Sequence, residues 1–288
     1  MTNLVPLALA VGAAAAEYAL LGFGFALVFA GCRLFSLAHG VAFLAGGFTA
    51  LGVIGAGWGV APAVVLGTLC GGAAGWSQEI AVFGPLARRE SGWEAGVLGS
   101  LGLHLVAVSM ATLWFGASVR FWGPDRVGWG EGLGGVSSLW ILSCVLVLGL
   151  LAIALRLPGA GAKLRAMAEN PLLAETLGVW IRGQRQLVFA VSGLTAGLAG
   201  GLRALDTGIE PRAALAATLK GAAAALLAGN PRVLPCVLAG VVLAATEVGL
   251  ARMLGGGWSE ALQYALLVVV VFWRGGSLLH QKGRVERE

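Results

Sequence analysis

Apolar residues run in long blocks broken by short polar intervals, at about 6–31, 39–56, 60–82, 96–117 and 136–155, and again at 187–205, 213–229, 234–251 and 261–273. A helix needs about 20 mostly apolar residues to cross a bilayer, so the pattern predicts an all-α, polytopic membrane bundle of about nine spans, with a range of roughly 8 to 10. The last block is short unless Trp258 and Trp273 mark its two interfaces. The whole chain, 1–288, reads as a single transmembrane domain with one long hydrophilic interval at 156–186.

Composition closes off the other classes. The chain is 58% hydrophobic and 11% charged, with a mean hydropathy of +0.87, whereas soluble domains average roughly 25% charged residues. Nineteen Lys and Arg with 14 Asp and Glu are too few to cover a water-facing surface of this size. An ordinary soluble enzyme is excluded, and so is a disordered chain, which would be poor in apolar residues.

Charge then sets an orientation. With alternating spans, one side holds Arg33, Arg88, Arg89, Arg156, Lys163, Arg165, Arg182, Arg185, Arg232, Arg274, Lys282, Arg284 and Arg287. The other holds Arg120, Arg126, Arg203, Arg212 and Arg252, and Lys220 stays inside a span. The bias of 13 to 5 makes the first side cytoplasmic, with the N-terminus outside and the C-terminus inside. Trp122 and Trp129 then fall in an external loop, at headgroup level. The basic residues form no arm or single patch, so nucleic acid is not an expected partner; the lipid bilayer is. The first basic residue is Arg33, so the leading apolar block lacks the charged flank of a signal peptide and is expected to be retained. Cys32, Cys70, Cys144 and Cys236 are scattered singly through apolar sequence and read as small buried residues.

Glycine is abundant, at 47 residues, and two groups are spaced by four: Gly193, Gly197 and Gly201, and Gly67, Gly71 and Gly75. Small residues at this spacing make a smooth helix face that another backbone approaches closely. On this pattern leucine at position 197 is expected to harm assembly more than leucine at Ala196.

Within the hydrophilic interval, Asn170 reads as a helix N-cap, Pro171 as its first residue, 172–177 as about two turns and Gly178 as the C-terminal stop. Leu173 and Leu177 share a face, with Ala174 beside them. Such a stripe suits insertion into a partner's groove; the alternative is that it lies on its own membrane domain.

Ionisable side chains inside spans are costly unless paired or functional. His39, Glu79, Lys220 and Glu247 are the main ones, and Ser36 lies three residues before His39, on the same face if a helix starts there. Ser36 and His39 read either as polar elements of a pathway or as groups hydrogen-bonded to a neighbouring helix. Lys220 either pairs with Glu247 or snorkels to the interface. Asp206, Glu210 and Arg212 read as a solvated external loop. No catalytic set emerges: there is no GxxxxGK[ST] loop, no HExxH, and the three histidines offer no metal site.

Three ordered blocks carry a resemblance. They are EYALLGFGFALVFAGCRLFSLAHGVAFLAGGFTAL at 17–51, LRAMAENPLLAETLGVWIRGQRQLVFAVSGLTAGLAGGL at 164–202, and LKGAAAALLAG at 219–229 followed by GVVLAATE at 240–247. Together they resemble the permeases of high-affinity branched-chain amino acid ABC importers. The resemblance implies a non-enzymatic transport subunit in a bacterial inner membrane. It also implies a second homologous permease subunit, two cytoplasmic ATPases that bind ATP and Mg, an external solute-binding protein, and no cofactor in this chain. The segment 164–178 corresponds to the family's ATPase-coupling region. Arg165, Glu169, Asn170, Pro171, Leu173, Ala174, Leu177 and Gly178 are the coupling candidates. Departures from the family pattern include Ser36 in place of an asparagine, and Asn230 to Cys236 in place of a Gly-Ser-Ile-Pro-Gly turn. Urea, short amides or another small organic solute remain alternatives within the class, and a stand-alone channel or secondary transporter is the alternative outside it.

Overall fold

The structure, a computed structural model, describes residues 4–89, 93–122, 134–157, 159–229, 231–254, 261, 264–265, 267–270 and 272. Among them all regular structure is helical apart from one isolated antiparallel bridge between Arg120 and Ile209. The helices are α1 (Leu4–Cys32), α2 (His39–Gly55), α3 (Val60–Gln78), α4 (Gly84–Arg88), α5 (Trp93–Phe115) and α6 (Gly134–Arg156), then α7 (Ala160–Glu169), α8 (Pro171–Thr176), α9 (Ile181–Asp206), α10 (Ala213–Ala228) and α11 (Val233–Leu254). Among the described residues six helical stretches are long and apolar enough to cross a membrane, and α2 and α10 are shorter apolar helices. These account for eight of the nine expected blocks; in the ninth, 261–273, the described residues 261, 264–265, 267–270 and 272 are helical.

The central helices are α1 and α9, whose most apolar windows are 78% and 72% buried, against 22% for α5 and 17% for α6. The buried α9 is the least apolar of the four and the exposed α6 the most, while α1 and α5 are alike, so sequence hydropathy does not separate inner from outer helices. Glycine does. α9 packs on α3 and α2 through glycines, while α1 packs on α10 and α11. The two predicted glycine stripes face each other: a Cβ added at Gly197 would stand 2.7 Å from the Gly71 Cα and 2.9 Å from the Gly67 carbonyl oxygen. Gly46 of α2 closes the same junction, 2.5 Å from the Gly197 Cα by the same construction. Backbone cannot move aside as a flexible side chain can. Gly197→Ala is therefore expected to lower the yield of folded protein, on the scale of about 1–3 kcal/mol for overpacking. Gly102→Ala, where nothing lies within 4 Å, is expected to leave it unchanged. Monodisperse yield after solubilisation is the measurement. Ala196 is itself fully buried in the main core cluster, so leucine there is costly as well.

Between α3 and α4 the chain makes a π-helical turn, Glu79–Phe83, with the Gly84 N–H bonded to the Glu79 carbonyl. Pro85 explains it. A proline inside a helix has no N–H and crowds the carbonyl four residues back, and widening the turn relieves that clash.

Candidate functional site

Glu17 and Tyr18 on α1, Arg203 on α9, Lys220 on α10 and Glu247 on α11 meet inside the bundle. The Lys220 ammonium lies 3.0 Å from Glu17 Oε2 and 3.5 Å from Glu247 Oε1. Tyr18 donates to Glu247 Oε2 at 2.6 Å, and Arg203 Nη1 is 3.5 Å from Glu17 Oε1. Two cations and two carboxylates thus neutralise one another, which is what allows charges to remain where water is scarce. Lys220 is only 5% exposed, so it does not snorkel to the interface, and Glu17 is a closer partner than the expected Glu247. Sequence reading passed over Glu17, although an acid in the middle of the first apolar block was the available signal. Arg203, counted with the external loop charges, lies in the last turn of α9.

Beside this network opens a cavity of about 500 Å³, within the range of small-molecule sites. Glu17, Arg203 and Lys220 form its inner wall, and Glu210 and Arg212, from the connection between α9 and α10, form another. Phe43, Leu105, Val108 and Leu215 supply apolar surface. Glu210 is half-buried and belongs to this wall, rather than to a freely solvated loop.

The other intramembrane polar candidates lie elsewhere. Glu79 is held by Arg185 of α9 through two bonds, Nε to Oε1 at 2.6 Å and Nη2 to Oε2 at 3.2 Å. His39 Nδ1 is 3.1 Å from Ser192 Oγ, a contact between α2 and α9. His39, Ser36 and Gln78 line a separate cavity of only about 10 Å³, room for a single water-sized group. Ser36 and His39 are therefore brought together, but away from the large cavity, and Glu79 does not join Lys220 and Glu247. Among the described residues no group of three or more His, Cys, Asp or Glu is placed to hold a metal ion.

The hydrophilic interval holds two helices where the sequence predicts one. Residues 160–169 form α7, and α9 begins at Ile181, so Arg182 and Arg185 are helical. α8 is capped at both ends. Asn170 Oδ1 accepts the Leu173 N–H at 3.0 Å, and Pro171 occupies the first turn. At the other end the Val179 N–H reaches the Ala174 carbonyl and the Gly178 N–H the Glu175 carbonyl, with Gly178 at φ +83°. This is a Schellman closure, and it needs a residue without a Cβ penalty at that φ. Leu173 and Leu177 are exposed, as are Leu172 and Trp180. Ala174 is buried, contrary to expectation, because it faces inward and anchors α8 to the domain. Arg33, at φ +51°, donates to the Ala168 and Glu169 carbonyls and so ties the end of α1 to the end of α7.

A family model described as "Branched-chain amino acid transport system / permease component" matches residues 7–271. The high-affinity branched-chain amino acid transport system permease protein LivH of Escherichia coli (strain K12) is 25% identical over 274 residues, 88% of each chain. LivH of Salmonella typhimurium (strain LT2) is 24% identical over the same share. No solved structure gives a significant match.

Proposed function

Since this chain belongs to the family of permease components of branched-chain amino acid transport systems, we propose that it is one membrane subunit of an ATP-driven, binding-protein-dependent importer in a bacterial inner membrane. It works as a single transmembrane domain of about nine spans, N-terminus outside and C-terminus inside. It pairs with a second, homologous permease subunit, with two cytoplasmic ATPases that carry the nucleotide and Mg, and with an external solute-binding protein. The chain itself performs no chemistry.

One structural observation carries this reading. A rigid, doubly capped helix with exposed Leu172, Leu173 and Leu177 immediately precedes α9, and Arg203, on the wall of the charged cavity, lies near the far end of that same helix. At 1.5 Å per residue, Ile181 and Arg203 are separated by roughly 33 Å, about the thickness of a bilayer's apolar core. A partner that moves α8 thus pushes directly on a helix that reaches the cavity. Arg165 and Glu169, both exposed on α7, are the candidates for added polar contacts, where single charges matter less.

Sidedness is checked by labelling single cysteines at Ser118 and Arg182, both exposed, in a cysteine-free background. The expected result is reaction of Ser118→Cys from outside and of Arg182→Cys from the cytoplasm only; reaction from the same side would remove the topology. The function is tested with the purified complex. ATP hydrolysis should rise when binding protein loaded with leucine is added. A rise with urea- or acetamide-loaded protein, and none with leucine, would move the solute to the alternative class.

A further inference from the structure

We propose that the 500 Å³ cavity is the transit site for a zwitterionic solute, with Arg203 receiving its carboxylate and Glu210 its ammonium group. The proposal rests on the amino acid reading above and assigns residues to it. Four observations lead there. First, the cavity wall carries both signs of charge, which matches a solute that carries both. Second, Lys220 is already held between two carboxylates and is 5% exposed, so it is not free to take a third. Arg203 is different: its side chain is 36% exposed, and only Nη1 touches Glu17, at the long distance of 3.5 Å. Asp206, three residues further along α9, also acts on Arg203 through space, and the planar fork matches a solute carboxylate in two-bond geometry. Third, His104 in the same wall is 4% exposed, and its Nδ1 is a buried atom with no partner. A buried polar atom of this kind is costly unless something bonds to it during the working cycle. Fourth, Phe43, Val108 and Leu215 offer an apolar surface to a branched side chain. Glu17 is then a positioning residue, holding Arg203 through its weak contact and Lys220 through its strong one.

The test uses the intact transporter with loaded binding protein and a diazirine analogue of leucine, with crosslinks mapped by mass spectrometry during turnover. Crosslinks are expected at Phe43, Val108 or Leu215. Free leucine should suppress them, whereas 3-methylbutylamine and 4-methylpentanoate, each lacking one charged group, should not. Arg203→Gln and Glu210→Gln should each lower the crosslink yield about tenfold, the scale of one lost charged hydrogen-bond pair. Arg203→Lys keeps the charge and a partner for Glu17; it should stay folded by size-exclusion elution and show an intermediate loss. Crosslinks confined to other helices, equal suppression by the amine or the acid, or an unchanged yield in all three variants would overturn the site while leaving the importer reading intact. A wild-type complex that imports leucine under no condition would instead remove the amino acid reading, and the site with it.

Discussion

Replacing Leu173 and Leu177 together by aspartate strips the ATPase from the purified complex, or leaves it bound but unable to drive uptake, while the membrane domain remains folded. Both side chains are solvent-exposed in the isolated subunit, so the charges do not disturb its core. Burying two leucines against a partner contributes about 3–6 kcal/mol, so their loss weakens the complex at least about a hundredfold. The carboxylates add a desolvation cost of the same sign. Co-purification of the ATPase and the elution profile of the permease, taken together, check this result. By contrast, Ala174→Asp is expected to unfold the local structure, since Ala174 is 1% exposed and faces inward. Wild-type uptake by the double variant would place the coupling surface elsewhere in 156–186.

Lys220→Met is expected to be the most destabilising single change inside the bundle. It removes the shared cation of Glu17 and Glu247 and leaves two carboxylates in a site almost closed to solvent. Breaking a buried pair in this way costs about 3–5 kcal/mol, because the uncompensated charge remains. The triple change Glu17→Gln, Lys220→Met, Glu247→Gln is expected to recover much of that loss. It takes away all three charges at once and leaves Arg203, which is partly exposed. The midpoint of thermal unfolding of the solubilised protein ranks the three forms. If Lys220→Met unfolds at the wild-type midpoint, the network does not hold the helices together.

Hydropathy was enough to place the helices, because a bilayer-length apolar run has few other uses. It was not enough to rank them from centre to edge, because lipid and protein interior are both apolar and only packing tells them apart. The glycine spacing did record the contact between α3 and α9, and the third contributor, Gly46 of α2, was not part of either stripe. Local chemistry was legible around α8, where Asn170, Pro171 and Gly178 each have one strong preference. The neighbouring α7 carries no such signals, which is why 160–169 read as part of a loop. The Lys220 and Glu247 contact was one of the two readings open for Lys220, the other being snorkelling to the interface, and burial decides between them. Glu17 and Arg203 come to it from 203 and 17 residues away along the chain from Lys220, and no local pattern records that distance.

The central claim is that transport through this subunit is driven by partner ATPases through α8 and α9. The most direct measurement is leucine uptake into proteoliposomes holding the whole complex, with loaded binding protein outside and ATP inside. Uptake that needs both, and that is lost in the Leu173→Asp, Leu177→Asp variant, is the predicted result. Uptake of equal rate without ATP, driven only by a solute or ion gradient, would contradict the account.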